Sequence, residues 1–131
     1  MDLELQEIGI YLDKRTREIL VQERYRITED ITGGYNSMRQ LFSLGQTVVT
    51  RGLHDKMQEN ILVEAGVRSA LIKHISGDWG TLPEEDKELN NEAVKNGDDR
   101  ILSAYNVEGN KIYIITEWDR SYTTIMLAEE Y

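Results

Sequence analysis

Arg100-Ile101-Leu102-Ser103-Ala104-Tyr105-Asn106-Val107, Lys111-Ile112-Tyr113-Ile114-Ile115-Thr116-Glu117 and Tyr122-Thr123-Thr124-Ile125-Met126-Leu127 are three short runs rich in β-branched and aromatic residues. Between them lie Glu108-Gly109-Asn110 and Trp118-Asp119-Arg120-Ser121, both of turn-forming composition. Runs of this length joined by such short connections predict a three-stranded antiparallel meander. Working back from it, Gly97 marks the end of a helix that begins near Thr81-Leu82-Pro83-Glu84. That tetrapeptide has the form of a capping box with Pro in the first turn, and Glu84, Glu85 and Asp86 complement the helix dipole. Upstream again, Leu53, Met57 and Ile61 recur at helical spacing, and Gly66 is the expected stop of that helix. A second short helix carries Val67, Leu71 and Ile75 on one stripe and ends near Ser76-Gly77-Asp78-Trp79-Gly80.

The segment Leu41 to Thr50, with Gln46-Thr47-Val48-Val49-Thr50 at its end, predicts a strand that stops near Gly52. Before it, Glu7 to Leu12 and Glu18 to Ile27 flank the charged connector Asp13-Lys14-Arg15-Thr16-Arg17 and predict a β-hairpin that places Arg24 and Arg26 on one outward face. Thr32-Gly33-Gly34-Tyr35-Asn36-Ser37 is a loop joining hairpin and remainder. Strands first, helices in the middle and strands last give an α+β fold: a mainly antiparallel sheet with two to three helices packed on one face. The 131 residues form a single domain, with residues 1–40 as an N-terminal hairpin attachment and 41–131 as the core.

Composition limits the chemistry. Fifteen Lys and Arg against 24 Asp and Glu leave a net charge of −9, a field that opposes non-specific binding to nucleic acid or to an anionic membrane and suits a basic partner. The absence of Cys excludes disulfides, thiolate zinc sites and cysteine nucleophiles. No apolar run reaches the roughly 20 residues of a membrane span, and the acidic start is the reverse of a signal peptide. The expected location is the cytoplasm. No serine-hydrolase elbow, phosphate loop or dinucleotide fingerprint occurs, and the two His lack zinc-site spacing, so no cofactor or metal is expected. His74, beside a helix end, is expected as a partner of the helix dipole or as a surface residue.

Charge is unevenly spread. Between Ser76 and Arg100 stand eight acids (Asp78, Glu84, Glu85, Asp86, Glu88, Glu92, Asp98, Asp99) and three bases. Between Lys14 and Arg39 the balance is instead +2. The acidic run is either a solvated helix face or an array of carboxylates that imitates phosphates and occupies the basic channel of a nucleic-acid-handling protein, with Glu84, Glu85, Asp86, Glu88, Glu92, Asp98 and Asp99 as the contact residues. A ligand module is the alternative, in which Arg24, Arg26, Arg100 or Arg120 grips an anionic nucleotide, with Trp79, Glu117 and Asp119 as further ligand-binding candidates and a site between subunits of an oligomer as one arrangement. Trp79 and Asp78 could equally be a core plug and a tight corner. Glu117 and Asp119, near Asn90 and Glu92, could hold Mg²⁺, but the Lys of two-carboxylate nucleases is missing, and pairing with Arg100 or Arg120 to pin the turn is the simpler expectation. Seven Tyr suit a homo-oligomer interface or an ordinary sheet.

From about Leu44 onward the chain resembles a family of small proteins carried by bacteria, phages and plasmids. The resemblance rests on Gly77-Asp78-Trp79-Gly80, Glu84-Glu85-Asp86, Asn90 and Asn91 followed by Glu92-Ala93, Gly97, Arg100 to Tyr105, Ile114-Ile115-Thr116-Glu117, Asp119-Arg120-Ser121, Thr123-Thr124 and Glu129-Glu130-Tyr131. Some members carry the label of a restriction-modification methyltransferase subunit. That activity needs a Gly-rich cofactor loop and a paired-Pro motif, and the only Pro here is Pro83, so the label is rejected. Carriage on mobile elements implies an encounter with host defences, and hence a non-enzymatic inhibitor of a CRISPR or restriction effector in the cytoplasm of the bacterial host.

Overall fold

The computed structural model describes residues 40–131. The expected hairpin over Glu7 to Ile27, with Arg24 and Arg26, lies outside the described residues. The chain runs through β1 (Gln46–Val49), α1 (Arg51–Glu59), α2 (Ile61–Ile75), α3 (Glu84–Asn96), β2 (Ile101–Val107), β3 (Asn110–Thr116) and β4 (Tyr122–Leu127), and closes on a 3₁₀ turn (Ala128–Glu130). The four strands lie in the order β1-β4-β3-β2. The meander β2-β3-β4 is antiparallel, and β1 joins it in parallel alongside β4, with Val49 opposite Ile125. This is the α+β class that the strand and helix patterns predict.

Alternation along the strands sends Ile101, Ser103, Tyr105 and Val107 to the same face as Ile112, Ile114, Thr116, Thr123, Ile125 and Leu127. Onto that face pack Leu53 and Met57 of α1 and Val63, Val67, Ala70, Leu71 and Ile75 of α2, forming the main core. A smaller cluster of Trp79, Ala93 and Ile101 joins α3 to the start of β2. The β2-β3 connection is a two-residue turn in which Glu108 (φ 48°) and Gly109 (φ 78°) are both left-handed, the geometry that matches strand twist.

Several boundaries differ from the sequence pattern, each for a tertiary reason. The first strand ends at Val49, and Gly52 lies inside α1. Thr50 makes no side-chain cap to its own helix; its hydroxyl donates to the Glu130 carboxylate, which also accepts from the backbone N–H of Gly52 and Leu127. An acid from the end of the chain thus serves the N-terminus of α1, where negative charge is favoured. The first helix stops at Asn60, not Gly66. Asn60, extended at φ −140°, ends α1 and caps α2 by accepting from the Leu62 N–H at 2.9 Å. Ile61 therefore starts a new helix and is exposed. Gly66 sits mid-helix because Val107 approaches to 2.4 Å of where a β-carbon would stand. Helix α3 begins at Glu84 with Pro83 at its N-cap and no side-chain cap. The expected box does not form because Thr81 is engaged with the edge of β2, its N–H donating to the Ala104 carbonyl at 2.8 Å. Gly97 ends α3 in the left-handed conformation (φ 69°), its N–H bonding the Ala93 carbonyl.

Candidate functional site

Helix α3 runs along the outer edge of β2, held there by its two buried residues. Asn90 donates from Nδ2 to the Leu102 carbonyl at 2.6 Å and accepts from the Leu102 N–H at 3.2 Å. Its side chain thereby replaces a neighbouring strand, satisfying an edge that would otherwise leave two backbone groups unpaired. Ala93 faces Trp79 and Ile101.

The exposed side of the helix is rich in acid. Glu84, Glu85, Asp86, Glu88 and Glu92 are exposed, as are Asp98 and Asp99 beyond its end. Glu85, Glu88 and Glu92 share one stripe, with Leu89 among them. Like charges at these spacings cost an isolated helix several tenths of a kcal/mol per pair, so the density of acid beyond the first turn is not there for helix stability. Lys87 approaches Glu84 to 3.6 Å, but Glu84 is 93% exposed and the pair is a weak surface contact. Leu89, 63% exposed in the middle of this face, is an apolar residue that the fold leaves in water. Sequence reasoning missed it; the signal was its place on the stripe of Glu85, Glu88 and Glu92, off the stripe of Asn90 and Ala93 that faces the sheet.

Arg120 is a structural clamp. It is held in the left-handed region (φ 59°) at the β3-β4 turn. Its guanidinium donates to the carbonyls of Asp99 (2.6 Å), Glu117 (3.0 Å), Trp118 (3.1 Å) and Ala93 (3.0 Å). One cation therefore joins the turn, the start of β2 and the last turn of α3, where positive charge is favoured. The turn is pinned through carbonyls and not through the acid pairs expected from the sequence. Asp119 accepts from the N–H and hydroxyl of Ser121, and these bonds, with a smaller contribution from the nearby Arg120 charge, hold its carboxyl below the usual range. Glu117 is half-buried beside it. Asn90 and Glu92 do not complete a cation site with them: Asn90 is committed to Leu102, and among the described residues no group of three or more His, Asp or Glu could hold a metal ion. Arg100 lies apart, donating to the Tyr131 hydroxyl at 2.8 Å.

Trp79 is 3% exposed. Its Nε1 donates to Asn91, and its ring stacks on Phe42 at 6.2 Å. Asp78 accepts from the Gly80 N–H, forming the corner, while Tyr105 donates to the Asp78 carbonyl. Burial raises the Tyr105 phenol well above its ordinary value.

His74 stands in the last turn of α2 but not at the surface, and it is fully buried between α2 and the sheet. The hydrogen bonds around it have one consistent direction. Thr123 spends its only proton on the Leu44 carbonyl (2.7 Å), so it accepts from Thr116 (2.7 Å). Thr116 then accepts from Nε2–H of His74 (2.9 Å), and Nδ1 accepts from the Ser103 hydroxyl (2.6 Å). A hydroxyl donating to an imidazole is the arrangement of a nucleophile and its base. Here Ser103 and His74 are both sealed from solvent and the imidazole is backed by Thr116, not an acid, so the pair is a core strut. Burial pushes the imidazole down to about 3, so it is neutral in the folded protein.

Comparison with protein-family models, curated proteins and solved structures returns no match. Among the described residues no helix is long and apolar enough to cross a membrane.

Proposed function

We propose that this chain is a non-enzymatic, acidic interaction protein of a mobile element that binds a basic, nucleic-acid-handling effector of a host defence, of the CRISPR or restriction kind, in the bacterial cytoplasm. The observation that carries the reading is the outer face of α3: five carboxylates, all exposed, on a helix whose buried residues are Asn90 and Ala93. A rigid array of carboxylates competes for a basic channel with little ordering cost, and its attraction to Lys and Arg steers association and weakens with salt. The other titratable candidates are already employed: His74 and Ser103 in the core, Arg120 on four carbonyls. The test is capture of effectors from a host lysate by the tagged chain, with low-salt and then high-salt washes, beside the E85K/E88K double variant. Retention of a nucleic-acid-handling effector by the parent chain alone, lost at high salt, supports the reading. Equal retention by the variant sinks it.

A second reading is an anionic-ligand module, and one observation favours it: Arg100 lies 5.9 Å from the centre of the Tyr131 ring and Lys111 5.5 Å from that of Tyr113, with the two rings packed edge to face. It differs from the sequence expectation in its residues, since Arg120 and Trp79 are unavailable. A nucleotide released on heating the purified protein would favour it over the first.

A further inference from the structure

Two adjoining clefts of about 280 and 370 Å³ beside α3 share Leu82, Asp86 and Leu102 and so form one groove. Charges of both signs line it, and they are unevenly divided. In the first cleft Asp86 and Asp99 stand with Arg100, whose guanidinium is already engaged by the Tyr131 hydroxyl at 2.8 Å. In the second cleft the cation is Lys111, 5.5 Å from the centre of the Tyr113 ring. Among the described residues none of these carboxylates lies within ion-pair distance of Arg100 or Lys111; the groove keeps them apart. Between the two ends the surface is apolar, through Leu82, Leu102 and Ala104. The paired Asn90–Leu102 hydrogen bonds lock α3 to β2, so the two sides are held in place before any ligand arrives.

We infer that this groove binds a short apolar peptide with both termini free, its ammonium between Asp86 and Asp99 and its carboxylate on Lys111. The inference rests on the ligand-module reading, not on the acidic-partner one, and it names the class of ligand. A nucleotide would bring several negative charges beside two carboxylates, in the field of a chain of net charge −9. A zwitterion instead answers each end of the groove with the opposite charge and leaves its aliphatic side chains for the leucines. A single amino acid would fill one cleft; reaching from Asp99 to Lys111 takes a chain of a few residues. Asp86, Asp99 and Lys111 are all exposed, so each ion pair is modest and the apolar contact supplies much of the affinity.

The experiment titrates the full chain, by amide NMR shifts, with the tripeptide leucyl-alanyl-leucine, with its N-acetylated form, with its C-amidated form and with ATP. The expected result is that the free tripeptide shifts the amides of Leu102 and Ala104 and binds about fivefold tighter than either capped form, the scale of one surface ion pair. Asp86→Asn should shrink the gap to the acetylated form and leave the gap to the amidated one, and Lys111→Gln should do the converse. Both changes are at exposed positions and leave the core untouched. An acetylated peptide that binds as tightly as the free one removes the ammonium and overturns the inference, while an anionic ligand still stands. An amidated peptide that binds as tightly overturns it too, as do gaps that neither variant alters, since the charges would then be met elsewhere. Binding of ATP but of no peptide overturns the inference and leaves the ligand-module reading in place; binding of neither overturns both.

Discussion

The fold should lose stability on mild acidification through His74 alone. The imidazole has an ordinary value of 6.5 and is held near 3 by burial, with no charged partner to compensate. Between those limits the unfolded chain binds a proton that the folded chain does not, so stability is full above 6.5 and falls as pH drops towards 3. The slope is about 1.4 kcal/mol per pH unit, which amounts to about 2 kcal/mol lost between pH 7 and 5, before most carboxylates protonate. Urea unfolding curves across that range measure it directly, with His74→Asn as the variant that removes the titration. The Asn should be less stable than His at pH 7, because it leaves Ser103 or Thr116 without a partner, but its stability should fall less steeply with pH. A nitrogen-resolved NMR titration of the parent chain serves the same end without a variant: His74 should stay neutral, protonated at Nε2, down to pH 5. Imidazole protonation near 6.5 in the folded state, or equal pH slopes for parent and variant, would refute the reasoning.

Arg120→Ala should cost roughly 2 to 3 kcal/mol, the scale of losing charged donors to partly buried carbonyls, and Arg120→Lys should recover little because one ammonium cannot span four acceptors; urea melts decide both. Asn90→Ala should destabilise by roughly 1 to 3 kcal/mol and speed hydrogen exchange at the Leu102 amide; unchanged exchange there would show that α3 is not what protects the edge. Gly80→Ala should prevent folding of the corner, since its β-carbon would fall 1.8 Å from the Ala104 oxygen, whereas Gly97→Ala, with open space around it, should cost only the roughly 1 kcal/mol of a left-handed alanine; thermal melts of the two variants make the comparison.

The meander was legible because its information is local: alternation, short turns and β-branched runs fix β2, β3 and β4 without reference to the rest of the chain. So was the end of α3, where Gly97 supplies a left-handed residue. The helix starts were harder. Thr81 has the right spacing for a capping box, but the edge of β2 competes for it through Ala104. Gly66 has the composition of a stop, yet the close approach of Val107 explains it as a packing glycine inside α2. Glu130 serving α1 and Asn90 serving β2 depend on contacts between distant parts of the chain, which no window of sequence contains. The candidate site divides in the same way. The acidity of α3 is a matter of composition and was plain. That Trp79, His74 and Arg120 are structural follows only from where the fold puts them, and the exposure of Leu89 follows from the choice of Asn90 and Ala93 as the buried face.

The proposed binding surface for the carboxylates of α3 is the one on a basic effector that nucleic acid would otherwise use. The measurement that reaches it most directly is displacement of fluorescent nucleic acid from the captured effector by the full chain. Complete displacement at low salt, lost in the E85K/E88K variant, is the predicted result. A ternary complex in which effector, nucleic acid and this protein remain bound together would contradict it.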